Sequence, residues 1–297
     1  MRVFVTGASG FVGSALVRNL IDGGHQVLGL ARSDASASAL AAAGATPHRG
    51  DLTDLDSLRK GADLADGVIH TAFNHDVTNF KASCEWDRAV IEALGAGLVG
   101  SDRPLVITSG TGLLSGQGMV TEADMPRAGN PNPRLATEEA ARLAAARGVR
   151  VSIVRLPPSV HGDGDHGFVP MLIGMAREKG RSAYIGAGRN LWPAVHRQDA
   201  AALFRLALEK GAADARYHAS AEGGVPFREI ASVIGKRLGL PVVSLSEEEA
   251  ASHFGWFAHF AAIDNPTSSE WTREALGWQP TGPGLIADLD RPSYFGG

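Results

Sequence analysis

The chain has 297 residues, of which 44% are hydrophobic and 20% charged, the composition of an ordinary globular protein that can bury a large core. Its 28 Lys and Arg residues against 32 Asp and Glu residues give a net charge of −4, and the lack of a basic tract argues against nucleic acid as the main partner. A single cysteine excludes an internal disulfide, and no apolar run is long enough for a membrane helix. A predicted strand occupies the position where a signal peptide would begin. We therefore expect a cytoplasmic protein without a membrane partner.

The N-terminal sequence MRVFVTGASGFVG predicts a strand, a glycine turn and a helix in that order. A β-branched and aromatic run at 2–6 predicts a buried strand, and an apolar face at helical period over 11–20 predicts the helix. Between them, Gly7 allows a tight turn, Gly10 lets the backbone approach a pyrophosphate, and Gly13 lets helix and strand pack closely. The pattern favours a dinucleotide-binding crossover, with phosphates at the helix N-terminus, over an ordinary turn.

Strands and helices continue to alternate after this unit, which is typical of a Rossmann-type doubly wound parallel sheet in an α/β protein. We predict a dinucleotide-binding domain over 1–160, to which 196–220 returns, and a smaller C-terminal substrate lobe formed by 161–195 and 221–297. Asn132 and Pro133 mark the start of the helix before the sixth strand. The further predicted strands are 26–31, 45–48, 67–71, 104–108, 151–156 and 216–220, and the further helices are 33–43, 53–60, 84–97, 132–147, 168–179, 197–210 and 225–238.

The end of the second strand carries Ala31, Arg32 and Ser33. A carboxylate at this place would bind the adenosine ribose of NAD, whereas a guanidinium and a hydroxyl suit the 2′-phosphate of NADP. We therefore expect NADP rather than NAD as the cofactor. The alternative is that Arg32 is only solvated and that Ser33 caps the next helix.

Further candidates follow the third and fourth strands. Asp51 either accepts a hydrogen bond from the adenine amino group or caps the helix near Thr53. Thr71 and Ala72 are small enough for a ribose to lie against their backbone. His75 follows in the loop, either in contact with substrate or as a merely polar surface residue.

Several segments at the predicted strand ends form a recognisable set, namely TGASGFVG (6–13), GDL (50–52), VIHTA (68–72), RLPPSVHG (155–162), VHRQDA (195–200) and the turn LGWQP (276–280). Together they resemble the extended short-chain dehydrogenase/reductase family, which holds nucleotide-sugar epimerases and dehydratases and related reductases. The resemblance covers nearly the whole chain, places segment 157–162 against the nicotinamide and the substrate, and implies a homodimer by analogy. The predicted cofactor contacts are then Thr6, Gly7, Ser9, Gly10, Phe11, Val12, Arg32, Ser33, Asp51, Leu52, Thr71, Ala72, Phe73, Thr108, Pro157, Ser159 and Val160.

The catalytic residues of that family are missing in their usual form. The family uses a Ser or Thr after the fifth strand and a Tyr-x-x-x-Lys pair, in which the tyrosine transfers the proton and the lysine lowers the tyrosine pKa. None of the three tyrosines has a lysine four residues on, and Asn130 and Arg134 stand where the pair is expected, with Gly110 at the serine position. The chain therefore resembles the atypical members that keep the cofactor site and lose these residues.

Other side chains can take over parts of this chemistry. Arg134 can bind ribose hydroxyls or a substrate oxyanion, or it can form a surface pair with Glu138 one turn on. Ser109 and Thr111 can hydrogen-bond a carbonyl oxygen, or they can cap local turns.

Proton transfer then falls to a histidine or to water. His161 is the first candidate, because the resemblance places its segment against the nicotinamide and a histidine pKa can be tuned near neutrality, and His75 is the second. The histidines are dispersed and the cysteine is alone, so no metal is expected. Aromatic residues of the small lobe either line a substrate pocket or pack in the core; they are Tyr184, Trp192, Phe254, Trp256, Phe257 and Phe260.

These observations favour an NADP-dependent oxidoreductase that transfers hydride to or from a small carbonyl or activated double-bond substrate, because the cofactor carries that chemistry and the protein supplies geometry. A nucleotide-sugar epimerase or dehydratase is the second interpretation, weakened because those reactions also rely on the missing tyrosine. The third is a non-catalytic NADP-binding sensor or regulator, which fits an intact cofactor site beside altered catalytic residues.

Overall fold

The computed structural model describes residues 1–296, so Gly297, the last residue of the predicted substrate lobe, lies outside the described residues. Strands and helices alternate up to Leu156, as predicted, and irregular connections with shorter strands follow. The strands are β1 (Arg2–Thr6), β2 (Gln26–Ala31), β3 (Thr46–Arg49), β4 (Gly67–His70), β5 (Pro104–Gly110), β6 (Arg150–Leu156), β7 (Ser159–His161), β8 (Ser182–Ile185), β9 (Leu191–His196), β10 (Arg216–His218), β11 (Glu222–Pro226) and β12 (Val242–Leu245). The helices are α1 (Phe11–Asp22), α2 (Asp34–Ala42), α3 (Leu55–Asp63), α4 (Phe80–Ala96), α5 (Leu135–Ala146), α6 (Phe168–Lys179), α7 (Arg197–Lys210), α8 (Phe227–Leu238), α9 (Glu247–Phe254), α10 (Ala258–Ala261), α11 (Glu270–Leu276) and α12 (Leu285–Leu289).

A seven-stranded parallel sheet runs through the larger part of the protein, with the strand order β3-β2-β1-β4-β5-β6-β10. Val3 and Val5 of β1 face one hydrophobic core with α1 and α7, whereas Phe4 faces a second core with α3, α4 and α5. Helices therefore cover both faces of the sheet, which explains why β1 is apolar at consecutive rather than alternate positions. The predicted α/β fold with a Rossmann-type doubly wound sheet is confirmed.

A third core lies among the shorter strands. Strands β7, β9 and β11 form one small sheet, and β8 pairs with β12 in another. Trp192, Phe227 and Phe257 are completely buried in this core. The sequence pattern does not predict these short strands, and helix α8 begins at Phe227 rather than at Val225, because Val225 pairs with Trp192 in the small sheet.

Two elements late in the chain return to the large sheet. Helix α7 joins the core beneath α1, where Phe204 packs with Leu16 and Leu20. Strand β10 pairs with β6 and so becomes the edge strand. These contacts accord with the prediction that 196–220 returns to the dinucleotide-binding domain, although the exact domain limits stay a prediction.

Helix α5 begins three residues later than predicted. The side chain of Asn132 accepts a hydrogen bond from the backbone N–H of Arg134 (3.0 Å), so Asn132 closes a turn before the helix instead of capping it. Asn130, which stands where a catalytic tyrosine is expected, donates to the Leu113 carbonyl (2.9 Å) and accepts from the Asn132 N–H (2.9 Å). Asn130 thus shapes this turn with both ends of its amide.

The glycine turn has the tight geometry that its spacing predicts. Gly7 has a φ of +69°, and a β-carbon there would lie 2.7 Å from the backbone nitrogen of Ala72 at the end of β4. A β-carbon on Gly13 would lie 1.9 Å from the carbonyl oxygen of Gly7, so helix α1 can approach β1 only because this position is glycine. The tight turn predicted at Gly7 and the close packing of helix and strand predicted at Gly13 are both confirmed. No helix within residues 1–296 is long and apolar enough to cross a membrane.

We expect Gly13→Ala to lower the free energy of unfolding by about 3 kcal/mol. The new methyl group overlaps the carbonyl of Gly7, and neither α1 nor β1 can shift to make room for it. The matched control is Gly174→Ala in α6, where an added β-carbon meets nothing within 4 Å and helix propensity favours alanine by up to about 1 kcal/mol. Urea denaturation of the two variants measures the difference. Equal stabilities would show that the turn relaxes around the methyl group.

Candidate active site

The glycine turn leaves the N-terminus of α1 open. Gly10 precedes the helix without a side chain to cap it, and its N–H donates to the Gly7 carbonyl (2.9 Å). A β-carbon on Gly10 would meet only that carbonyl within 4 Å. The guanidinium of Arg197 lies 4.6 Å from the Phe11 ring and donates to the Ser14 hydroxyl (2.7 Å), which adds a positive charge beside the helix. Open backbone, the helix dipole and this arginine together form a site suited to an anion.

The residues after β2 and β3 lie at the surface. Arg32 is exposed, and Ser33 caps α2 in a reciprocal pair with Ser36, so the capping alternative for Ser33 is confirmed. Asp51 accepts from the N–H and the hydroxyl of Thr53 (both 2.8 Å). The N–H of Thr53, aided by its hydroxyl and the charge of Arg32, lowers the pKa of Asp51 despite its partial burial. Because Asp54 caps α3, the prediction that Asp51 caps that helix is wrong, and its contact with adenine stays a prediction.

Three predicted cofactor residues have their hydroxyls engaged in hydrogen bonds within the fold. Thr71 donates to the Thr6 carbonyl (2.8 Å), and Thr108 donates to the His70 carbonyl (2.8 Å). The Thr6 hydroxyl is completely buried and bonds to Nδ1 of His70 (2.6 Å). These side chains join β1, β4 and β5 at their carboxyl ends, so a ligand here would meet the backbone of Ala72 and its neighbours more than threonine hydroxyls.

Asp87 of α4 is a buried carboxylate at the centre of this edge of the sheet. One oxygen accepts from His70 Nε2 (2.9 Å), and the other accepts from Arg134 (3.0 Å) and from the Thr137 hydroxyl (2.5 Å). Burial alone raises the pKa of Asp87, but the hydrogen bond and charge of His70, the charge of Arg134 and the Thr137 hydroxyl outweigh it, so the pKa lies below its usual value. The carboxylate stays charged and holds the arginine in place.

Arg134 is fixed from three sides. Besides Asp87, its guanidinium donates to the carbonyl of Thr108 (3.1 Å) and stacks 3.8 Å above the ring of Phe73. The predicted alternative of a surface pair with Glu138 is wrong, because Glu138 is buried and bonds to other groups. The guanidinium thus lies at the carboxyl ends of β4 and β5, where ligands bind in such sheets.

The structure corrects the expectation that Ser109 and Thr111 bind a substrate carbonyl. Ser109 is buried and donates to Glu138 (2.8 Å), which also accepts two hydrogen bonds from the completely buried Arg155 (both 2.8 Å). Thr111 is completely buried and donates to Oδ1 of Asn265 (2.7 Å). Both hydroxyls point into the packed interior and connect elements of the fold.

His161 is corrected in the same way. It is completely buried, and its Nδ1 bonds to Asp288 Oδ2 (2.9 Å), which is also completely buried. Next to this pair, the hydroxyl of Tyr294 accepts a hydrogen bond from the N–H of Gly162 (2.9 Å). Ser159, in the same strand, is buried as well. A substrate has no surface of His161 to touch in this structure, so direct proton transfer by this residue is not supported.

His75 lies on the open side of the cleft. Its ring meets Phe73 edge to face at 5.1 Å, and partial burial followed by the charges of Arg134 and His166 lowers the pKa of His75. His166, exposed on the loop after β7, meets Phe11 edge to face at 5.7 Å. The two histidines and Arg134 therefore surround the space next to the glycine turn. Within residues 1–296 no group of three metal-ligating side chains is present.

The aromatic residues of the small lobe divide into two groups. Trp192, Phe254 and Phe257 are at most 3% exposed and belong to the core. Phe260 is half-buried, and Trp256 is 53% exposed. Tyr184 is half-buried as well, so three of the six predicted aromatic residues, Tyr184, Trp256 and Phe260, can offer a surface to a ligand.

Comparison with known proteins settles the family. Residues 3–92 match the NAD dependent epimerase/dehydratase family. A 2-alkyl-3-oxoalkanoate reductase of Stenotrophomonas maltophilia is 32% identical over 262 residues, covering 82% of this chain and 77% of that protein. The chain belongs to the extended short-chain dehydrogenase/reductase superfamily. An uncharacterized protein of Schizosaccharomyces pombe is 55% identical over 99% of this chain and 100% of its own length.

A solved member of this superfamily shows the same fold. The dTDP-glucose 4,6-dehydratase DesIV of Streptomyces venezuelae, solved with NAD bound, superimposes with a TM-score of 0.78 at 21% identity and covers 99% of this chain and 97% of that chain. The predicted resemblance is confirmed.

Several residues that hold this site in place were not predicted from the sequence. Asp87 lies inside a predicted helix with no motif around it, and Arg197 is not among the residues predicted to contact the cofactor. His70 comes directly before the predicted ribose contacts, yet its partner is 17 residues away on α4. A polar residue at an otherwise apolar strand end was the available signal for His70, and no comparable signal existed for Asp87.

Replacing Asp87 with Asn should lower the free energy of unfolding by about 3 kcal/mol at pH 7, because the charges of Arg134 and its neighbours lose their buried counter-charge. The pKa of Asp87 is lowered from its model-compound value of 3.8, so its contribution is present above about pH 4 and is lost as the pH falls through the folded-state pKa. The difference in the free energy of unfolding between wild type and variant, measured by urea denaturation, should therefore decrease at low pH.

Asp56→Asn is the control, because Asp56 forms an exposed pair with Arg59 and should have little effect at either pH. A difference in the free energy of unfolding that stays constant from pH 7 to pH 3 would mean that folding does not lower the pKa of Asp87.

Proposed function

We propose that this protein is an NADP-dependent oxidoreductase that transfers hydride to or from a carbonyl or activated double bond of a small substrate. The observation that carries the proposal is the fixed guanidinium of Arg134, stacked on Phe73 at the end of β4 and next to the glycine turn. It stands where the superfamily resemblance expects the catalytic lysine. The proposal is supported by the 3-oxo acid that the related Stenotrophomonas reductase is named for.

The residues present fit a dinucleotide. The open N-terminus of α1 and the backbone of 7–12 would hold the pyrophosphate, while Ala72 and Phe73 would flank the ribose and nicotinamide. Exposed Arg32, near the carboxylate of Asp51, would bind a 2′-phosphate, whereas the hydroxyl of Ser33 is already engaged with Ser36. When bound, the cofactor supplies or accepts the hydride.

Arg134 would bind and stabilise the substrate oxygen. A guanidinium has five N–H donors, and the contacts to Asp87 and Thr108 occupy only part of them. Its charge is permanent and its position is fixed before substrate arrives, so negative charge developing on a carbonyl oxygen is stabilised without reorganisation of the site. A positioned arginine thereby supplies the charge stabilisation that the superfamily's hydroxyl groups usually give.

The proton would come from His75 or from water. His75 faces the cleft beside Phe73, whereas His161 is completely buried. With its pKa lowered, His75 is mostly neutral at pH 7 and can relay a proton from solvent.

An epimerase or dehydratase activity is the second candidate, favoured by the matched family description and by the fold shared with the DesIV dehydratase. It would require a base that takes the proton of a sugar hydroxyl while a bound nicotinamide accepts the hydride of that carbon, and none of the tyrosines has the lysine four residues on that would activate it as this base. The reductase is therefore the better supported function.

The test is NADPH oxidation, followed by absorbance, with a panel of aldehydes, ketones and enones. We expect Arg134→Ala to lower kcat/KM for the accepted substrates by about 100-fold or more, while the Kd for NADPH changes little, because the guanidinium acts on the substrate oxygen. The control is Arg142→Ala, an exposed arginine of α5. NADPH binding to the variant verifies that it is folded. Tight NADPH binding by wild type without turnover across the panel would instead favour a sensor.

A second measurement concerns the choice of cofactor. Arg32→Ala should raise the Kd for NADPH about tenfold and leave the Kd for NADH unchanged, because a charge-assisted hydrogen bond to the 2′-phosphate contributes about 1.5 kcal/mol or more. Arg59→Ala, which removes an exposed arginine on α3, should change neither Kd. Tighter binding of NADH than of NADPH by wild type would contradict the assignment of NADP.

A further inference from the structure

Three aromatic rings form a continuous surface on the small lobe, which we name the aromatic wall: Phe168, Trp256 and Phe260. The ring centroids of Phe168 and Phe260 are 4.8 Å apart, and those of Phe260 and Trp256 are 5.9 Å apart. Trp256 is 53% exposed, and the two phenylalanines are half-buried. Behind them, Phe257 is completely buried and packs against all three rings, so the wall has a rigid backing.

The wall is connected to the candidate active site from one side through the loop after β7. Phe168 begins α6 only two residues after His166. The ring of His166 contacts Phe11 of the glycine turn (5.7 Å), and its charge acts on His75. One end of the wall is therefore only two residues along the chain from a side chain that contacts the start of α1.

A second connection leads from the other end of the wall. Phe260 lies in α10, and the chain that follows α10 bonds to the loop after β5: Gly116 donates to the Asp264 carbonyl (3.1 Å) and Thr111 donates to Asn265 (2.7 Å). Thr111 directly follows β5, the strand whose Thr108 carbonyl holds Arg134. A short chain segment therefore joins this end of the wall to the loop after β5, the strand that holds Arg134.

We propose that the aromatic wall and Arg134 face one cleft, and that the wall binds an apolar tail of the substrate, an alkyl or isoprenoid chain attached to the carbonyl that Arg134 binds. This inference rests on the proposed function and adds the substrate class. Exposed rings with a rigid backing lose little side-chain entropy on contact and offer dispersion contacts and apolar area. The indole N–H of Trp256 is the single hydrogen-bond donor of the three side chains, and none of them carries a charge for a phosphate. A polar end at Arg134 and an apolar side at the wall describe an amphipathic carbonyl compound.

The test uses NADPH and a series of straight-chain methyl ketones of increasing length. We expect kcat/KM to rise by up to about fourfold for each methylene group that reaches the wall, the factor that corresponds to about 0.8 kcal/mol per buried methylene. Trp256→Ala and Phe260→Ala should flatten this rise while leaving kcat/KM for the shortest ketone within about twofold. Trp271→Ala is the control, because Trp271 is 45% exposed but stacks on Tyr217 at the edge strand β10.

Each outcome bears on a different claim. A wild-type kcat/KM that is independent of chain length, or variants that lose the same factor with every ketone, would overturn the apolar tail while leaving the oxidoreductase intact. If no carbonyl compound is reduced, the proposed function fails. The apolar tail is then tested by binding of the long ketones, measured as quenching of tryptophan fluorescence. We expect Trp256→Phe to abolish this quenching. No quenching overturns the inference. A shift of Trp256→Ala to a smaller species in size-exclusion chromatography would also overturn it, because the wall would then be an interface between copies.

Discussion

The buried carboxylate of Asp87 is the interaction on which the site depends. A charge out of contact with water is tolerated only when several partners surround it, and its partners here come from the end of β4, from the loop before α5 and from α5 itself. One side chain therefore fixes the distance between two helices and the sheet. The same set of bonds holds the guanidinium of Arg134 over Phe73, so the fold and the cleft share a single electrostatic support.

A second buried ion pair explains why a hydroxyl at the end of β5 is not free for a substrate. Arg155 and Glu138 join β6 to α5, and Ser109 satisfies a remaining lone pair of Glu138. Arg155 also donates to the Asp124 carbonyl (3.0 Å) and contacts His218 (3.3 Å), whose pKa is lowered by burial and then by the arginine's charge, which favours the neutral ring. The network ties β6 and β10 of the large sheet to α5 and to the connection between β5 and α5, and it occupies the hydroxyl of Ser109.

The Asp87 network supports the role proposed for Arg134, in which an arginine replaces a tyrosine and lysine pair in hydride transfer. The tyrosine of the superfamily has to titrate, and therefore needs a neighbour that lowers its pKa. A guanidinium keeps its charge at any ordinary pH, so its function depends only on being held in the right place. Asp87, Thr108 and Phe73 hold it from three directions. The proton can then come from an exposed group or from water, since it no longer has to pass through the group that stabilises the oxygen.

The sequence by itself determined the large sheet and the glycine turn. Periodicity, β-branched runs and glycine spacing are local signals, and they predicted β1, β2, α6 and α7 at their observed limits. It also showed that no tyrosine has a lysine four residues on. Only the tertiary structure decided the partners of the polar side chains: Asp87 for Arg134, Glu138 for Ser109 and Asp288 for His161 lie 47, 29 and 127 residues away in the chain. Burial and pairing of charges depend on which distant elements pack together, and no local pattern records that.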